Sequence, residues 1–184
     1  MSIQLFSEKK VKGEKITMVT AYDYTMGRLV SKSNVDAILV GDSAAMVMHG
    51  FSDTVAATVD MLEYHVAAVA RAAKNKIIIA DMPFASFRKG KYEATEIATR
   101  FLRAGAQAIK LEALSGHEDV VEHLIGSGIP VMGHLGLTPQ FVNIFGGMKV
   151  QARHDRAATQ LVKDAKKLED LGCFSIVLEC VPSV

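Results

Sequence analysis

Acidic residues recur in this sequence at the ends of short apolar runs. Asp42-Ser43 follows AILVG, Asp81 follows IIIA, Lys110 and Glu112 close AIKLE, His134 follows PVMG and Glu179 follows SIVL. Asp42, Asp81 and Glu112 offer hard oxygen ligands of the kind that suit Mg²⁺, a cation that keeps several waters and takes few protein carboxylates. Lys110 and Glu112 are two residues apart, so on a strand both face the same side, and a lysine there can hold a substrate carboxylate. Glu179 is a candidate general base: beside a metal-bound 2-oxo acid it can remove the proton alpha to the carbonyl. Taken singly, each of these residues also has a structural reading. An Asp after a strand is commonly a turn or cap residue, Lys110 can snorkel along apolar surface, and His134 can be a satisfied core histidine. Their convergence at one rim favours a functional reading over unpaired charge collected without use.

The elements that must position these groups alternate. Strand candidates are Ile16 to Ala21, Ala37 to Val40, Lys76 to Ala80, Ala108 to Leu111, Pro130 to Gly133 and Phe174 to Leu178. They are β-branched and continuously apolar, as in parallel strands buried on both faces. Between them, helical periodicity runs through Val59 to Ala73 behind a Thr58 cap, Ala94 to Leu102, Val120 to Ile125 and Ala158 to Leu168. The last three are expected to stop at left-handed glycines, Gly105, Gly126 and Gly172. Strand, helix, strand with right-handed crossovers predicts an α/β fold with a parallel sheet and its active site at the carboxyl ends of the strands. Periodicity allows either a six-stranded open sheet or a (βα)₈ TIM-type barrel truncated after about six strands. One connection, Leu135 to Arg153, is long enough to suggest a functional loop.

Composition excludes several classes. The chain has 184 residues, 49% apolar, with a formal net charge of +1, which gives no electrostatic reason to expect nucleic acid or a membrane surface as partner. No apolar run is long enough to span a bilayer, no secretory signal is seen at the amino terminus, and two cysteines make no disulfide framework. A cytoplasmic setting is expected. Dinucleotide, P-loop and nucleophile-elbow motifs are absent, and the six histidines show no zinc-like spacing. Gly146-Gly147 reads as a flexible turn, and Cys180 as a buried structural thiol rather than a nucleophile.

The stretches VTAYDYTMGRLV, ILVGDSAAMVMHG, ADMPF, AIKLE, GHLGLTPQ, FGGMKVQAR and SIVLECVP, in this order from about Lys10 to Val184, resemble the ketopantoate hydroxymethyltransferase family. GHLGLTPQ followed by FGG-x-KVQ is the most specific pair. The resemblance implies a (βα)₈ barrel in a large, ring-type homo-oligomer. It implies transfer of a hydroxymethyl group from the co-substrate 5,10-methylenetetrahydrofolate to 3-methyl-2-oxobutanoate, giving ketopantoate (2-dehydropantoate) for pantothenate and coenzyme A synthesis. By the same resemblance Mg²⁺ is held by Asp42 and Asp81, with Glu112 completing the site, often through water. The oxo acid meets Asp42, Ser43, Asp81 and Lys110, His134 lines the pocket, and Glu179 is the base. After Gly-Asp-Ser this chain has Ala44-Ala45 where the family usually has Leu-Gly. The resemblance makes residues 1–184 one barrel domain whose C-terminal βα units are missing. The alternatives are another Mg²⁺-enolate barrel of the phosphoenolpyruvate mutase and isocitrate lyase type, and a non-catalytic fragment.

Overall fold

The computed structural model describes residues 2–183. In chain order the elements are α1 (Gln4–Lys12), β1 (Met18–Thr20), α2 (Tyr24–Ser31), β2 (Ala37–Val40), α3 (Ala44–Val47), α4 (Val59–Ala72), β3 (Ile77–Asp81) and α5 (Lys91–Ala104). There follow β4 (Ala108–Glu112), α6 (Glu118–Gly126), β5 (Val131–Gly136), α7 (Val142–Phe145), α8 (Asp155–Asp170) and β6 (Ser175–Glu179). Short 3-10 turns at Thr54–Ala56 and Pro139–Phe141 interrupt the loops after β2 and β5.

All strand pairs are parallel, and the order is β1-β2-β3-β4-β5-β6 without a reversal. This decides between the two readings left open by periodicity. A doubly wound sheet reverses direction and carries helices on both faces, whereas sequential right-handed crossovers put every helix on one face and curl the sheet into a barrel arc.

The alternation of side chains along each strand makes two cores. Outward residues Ile38, Val40, Ile78, Ala80, Ile109, Leu111, Val131 and Leu135 pack on the helical stripes Leu62-Val66-Val69, Ala94-Ile97-Ala98-Phe101 and Val120-Val121-Leu124. Each fully buried aliphatic or aromatic side chain there is worth about 1.5–3 kcal/mol. Inward residues Ala37, Ile77, Ile79, Ala108 and Met132 form a second cluster closed by Phe6 of α1, whose ring meets Phe174 edge-on at 5.2 Å between centroids. Thus α1 plugs the amino-terminal end of the inner face. It is pinned by the Lys9–Asp36 ion pair at 2.6 Å, and Asp36 in turn accepts from the Thr17 backbone N–H at 2.8 Å.

Several local expectations are corrected. Strands β3 to β6 run one to three residues further than the apolar runs, so their polar ends are part of the ladder. The edge strand β1 is shorter and solvent-exposed throughout. Helices α1 and α2 were not anticipated. Asp23 caps α2 by accepting from the Met26 N–H at 2.7 Å, the structural role common for Asp after a strand. Gly105 and Gly172 take positive φ as expected, but Gly126 is the last residue of α6 and the left-handed residue is Gly128. Cys180 is exposed rather than buried. No helix among the described residues is long and apolar enough to cross a membrane.

Candidate metal and oxo-acid site

On the inner face the lower layers are apolar and the uppermost layer is polar. Asp81, Lys110, Glu112, His134 and Glu179 all fall at the carboxyl ends of β3 to β6, with Asp81 in register with Lys110 and Glu112 in register with His134. Asp42 and Ser43 follow β2 directly. Gly41 precedes them, and a Cβ there would lie 2.9 Å from Ser43 Oγ, so a larger residue would displace that hydroxyl. The sheet therefore brings all seven sequence-predicted residues to one mouth.

Asp42, Asp81 and Glu112 are buried and present carboxylate oxygens that all lie within 4.8 Å of one another. Lys110 Nζ sits 2.8 Å from Asp81 Oδ1 and 3.6 Å from Glu112 Oε1. One ammonium among three carboxylates leaves an excess of buried negative charge, and the ionisation of the group reflects it. Burial and the neighbouring Asp81 push the Asp42 carboxyl up to about 8, against the opposing pull of Lys110. Burial likewise raises Asp81, with Lys110 opposing and Glu112 adding to the rise. Glu112 is held below the usual carboxylate range although burial works against it, because His134, Lys110 and the Gln140 N–H favour its charged form. Burial alone would lower Lys110, but the three carboxylates keep it above its ordinary value and hence charged. Clustered buried oxygen donors, two of them poorly ionised for want of positive charge, have the chemistry of a hard divalent cation site.

His134 bridges this cluster to the sixth strand. Its Nδ1 lies 3.3 Å from Lys110 Nζ and 3.4 Å from Glu112 Oε1, and its Nε2 lies 3.3 Å from Glu179 Oε2. Glu179 lies on the edge strand β6, and its side chain is 41% exposed among the described residues. Gly136 makes room there, with φ +89 and a hypothetical Cβ 2.3 Å from the Glu179 carbonyl oxygen.

Three participants escaped the strand-end reading, and a fourth, Tyr22 after the first apolar run, was given no role by it. Gln140 donates from Nε2 to Asp42 Oδ2 at 2.9 Å and to the Met82 carbonyl at 2.8 Å, and its backbone N–H donates to Glu112 Oε2 at 3.0 Å. Arg88 lies over the Phe87 and Phe141 rings, 4.8 and 5.0 Å from their centroids, and donates to the Glu112 carbonyl at 3.1 Å. The Tyr22 hydroxyl is 2.8 Å from Ser43 Oγ, and His65 Nδ1 is 2.5 Å from the Tyr22 carbonyl. The signal for Gln140 was present in the GLTPQ stretch of the long loop. Tyr22 was visible as a strand-end residue but had no assigned partner. Nothing in the sequence pointed to Arg88 or His65.

A groove of about 400 Å³ adjoins the mouth, lined by Thr138, Phe141, Phe145, Gln151, Gln160 and Asp164 among others. A larger one, about 680 Å³, lies at the amino ends of β1 and β6 between α1 and α8, and none of the clustered acids borders it.

The fold and the acidic rim define an α/β-barrel arc of six parallel strands with a carboxylate cluster at the mouth formed by the carboxyl ends of its strands. Phosphonopyruvate hydrolase, solved in complex with oxalate and Mg²⁺, superposes with a TM-score of 0.71 at 13% identity over 97% of this chain and 63% of its own. A 2,3-dimethylmalate lyase superposes at 0.68 and 16%, again over 97% and 63%. At such identities the likeness concerns fold alone. The sequence is more specific: the family pattern described as ketopantoate hydroxymethyltransferase matches residues 1–184. Proteins named 3-methyl-2-oxobutanoate hydroxymethyltransferase are 52% identical in Coxiella burnetii (97% of this chain, 67% of the relative) and 47% identical in Francisella tularensis subsp. novicida (99% and 69%). The chain belongs to the ketopantoate hydroxymethyltransferase family, a family of transferases, and spans about two thirds of the length of these relatives.

Proposed function

We propose that this rim carries out hydroxymethyl transfer from 5,10-methylenetetrahydrofolate to 3-methyl-2-oxobutanoate, forming 2-dehydropantoate. The observation that supports it is the convergence of three buried, clustered carboxylates on Lys110, 2.8 Å from Asp81, with His134 set between Glu112 at 3.4 Å and Glu179 at 3.3 Å. Asp42, Asp81 and Glu112 are the ligands for Mg²⁺, which when bound would supply Lewis-acid stabilisation of the negative charge that develops on the keto oxygen. Lys110 and the Ser43 hydroxyl hold the carboxylate of the oxo acid, and Lys110 stays charged because the acids surround it. Glu179 takes the proton from C3, and His134 orients that carboxylate. The carbanion carbon attacks the methylene carbon of the folate as one of that carbon's two C–N bonds breaks; water then replaces the second C–N bond, giving the hydroxymethyl group, and tetrahydrofolate leaves with both nitrogens protonated.

The folate is assigned to the groove beside the mouth. It begins where the site ends, since Ala113 follows Glu112 and Phe141 follows Gln140. The Phe141 and Phe145 rings offer apolar faces to a flat heterocycle, and Gln160 and Asp164 offer polar atoms to its edge. In this reading residues 1–184 supply six strands of a barrel domain and the five helical crossovers between them, working in the cytoplasm as part of a homo-oligomer.

The test is product formation. The protein with Mg²⁺, 5,10-methylenetetrahydrofolate and 3-methyl-2-oxobutanoate should yield 2-dehydropantoate and show no lyase activity on 2-methylisocitrate. Cleavage of the latter without transfer to the former would replace this reading with the lyase one.

A further inference from the structure

A chain of hydrogen bonds enters the site from behind Ser43. Tyr22 is 7% exposed at the end of β1. Its hydroxyl meets Ser43 Oγ at 2.8 Å, and its carbonyl meets His65 Nδ1, from α4, at 2.5 Å. His65 Nε2 is 2.8 Å from His49 Nε2, and the two rings stand edge-on, 5.1 Å apart at 74°. The chemistry of the partners fixes the protons. A carbonyl can only accept, so Nδ1 of His65 carries the hydrogen. In the neutral ring Nε2 is then an acceptor, and His49 must donate to it. The loops after β1 and β2, which share no covalent link near the site, are thereby tied to one position on α4.

We infer that His65 is a positioning residue for the oxo acid, acting through Tyr22 on the Ser43 hydroxyl. This rests on the reading that Ser43 binds the substrate carboxylate. Either Tyr22 or Ser43 can donate in their mutual bond, but only with Tyr22 as donor is the Ser43 proton left for a carboxylate oxygen. That choice needs the Tyr22 side chain held at a fixed distance, and the peptide group it hangs from is held by His65. The bond is to the Nδ1 position specifically. His65 is partly buried, and both of its ring nitrogens are engaged, Nδ1 by the Tyr22 carbonyl and Nε2 by His49.

The experiment compares His65→Asn, whose amide nitrogen stands at the Nδ1 position, with His65→Gln, whose amide nitrogen stands at the Nε2 position, and with Tyr22→Phe. The readouts are the KM for 3-methyl-2-oxobutanoate, kcat, and calorimetric binding of the oxo acid in the presence of Mg²⁺. His65→Gln and Tyr22→Phe should each raise KM and weaken binding about tenfold, with kcat changed less than about threefold, because a ground-state contact is lost. His65→Asn should recover binding to within about threefold of the parent, and the double variant His65→Gln/Tyr22→Phe should be no worse than either single change, because both act on one contact. Nitrogen-15 spectra should show His65 with its proton on Nδ1. Equal behaviour of the Asn and Gln variants, additive losses in the double variant, or a His65 proton on Nε2 would each overturn the assignment. Failure of the parent protein to bind the oxo acid at all would sink the functional reading instead, and the tautomer spectrum would still decide whether His65 holds Tyr22.

Discussion

Metal binding at the rim should be strongly pH-dependent, with a sign that follows from the buried acids. In the metal-free protein Asp42 titrates near 8, driven up by burial and by Asp81, so below that pH it carries a proton which a cation must displace. Each displaced proton changes the apparent affinity by about tenfold per pH unit. Mg²⁺ affinity should therefore rise about tenfold per unit from pH 6 to 8 if Asp42 alone gives up its proton, and more steeply if Asp81, also raised, gives up one as well. Above about pH 8 the slope should flatten. The same shift has a stability counterpart. A carboxyl with a raised folded-state pKa opposes folding once the unfolded chain can ionise it, so metal-free stability falls as pH rises from about 4 towards 8. At pH 7 the penalty from Asp42 is on the order of 4 kcal/mol, and Mg²⁺ should relieve it. Calorimetry in buffers of different ionisation enthalpy reports both affinity and protons released. Affinity flat across this range, with no proton release, would refute the argument that the cluster lacks a cation.

Gln140→Leu removes the donor to Asp42 and to the Met82 carbonyl. Leaving these buried acceptors without their donor costs about 1–3 kcal/mol, so thermal unfolding should show a loss of that order and Mg²⁺ binding should weaken. Gly136→Ala puts a methyl group against the Glu179 backbone at a positive φ. It should destabilise by more than about 1 kcal/mol and slow turnover more than it weakens Mg²⁺ binding, both readable on one purified variant. Phe145→Ala should reduce affinity for tetrahydrofolate by about tenfold, through loss of a stacking face, while C3 proton exchange in the oxo acid without folate stays at the parent rate. Equal folate affinity in parent and variant would exclude the groove as the donor site.

The polar rim was legible because Asp81, Lys110, Glu112 and His134 each end an apolar run, and a strand's period of two carries their orientation. Asp42, Asp81 and Glu112 could be read as one ligand set because the residue types and the barrel topology agree. What could not be read depends on contacts remote in sequence. Gln140 reaches an aspartate 98 residues earlier, and His65 holds a carbonyl 43 residues away. Neither contact leaves a periodic trace. Helix α1 was missed because it buries essentially one side chain, Phe6, in an otherwise charged segment. Gly126 was taken as a cap because a glycine stood after an apolar stripe, but the helix continues through it and the turn uses Gly128. Cys180 was expected to be a buried structural thiol because the adjacent Glu179 carboxylate disfavours a reactive thiolate, yet it lies past the end of β6 with φ +47, where the chain leaves the sheet.

The most direct measurement is exchange of the C3 proton of 3-methyl-2-oxobutanoate in deuterated buffer with Mg²⁺ and no folate, followed by proton NMR for the parent protein and for Glu179→Gln. A Gln substitution leaves the Asp42–Asp81–Glu112 cluster untouched, so Mg²⁺ affinity should hold while exchange falls by about 10²–10⁴-fold, the contribution expected of a positioned base. Exchange at the parent rate in Glu179→Gln, with Mg²⁺ still bound, would contradict the account.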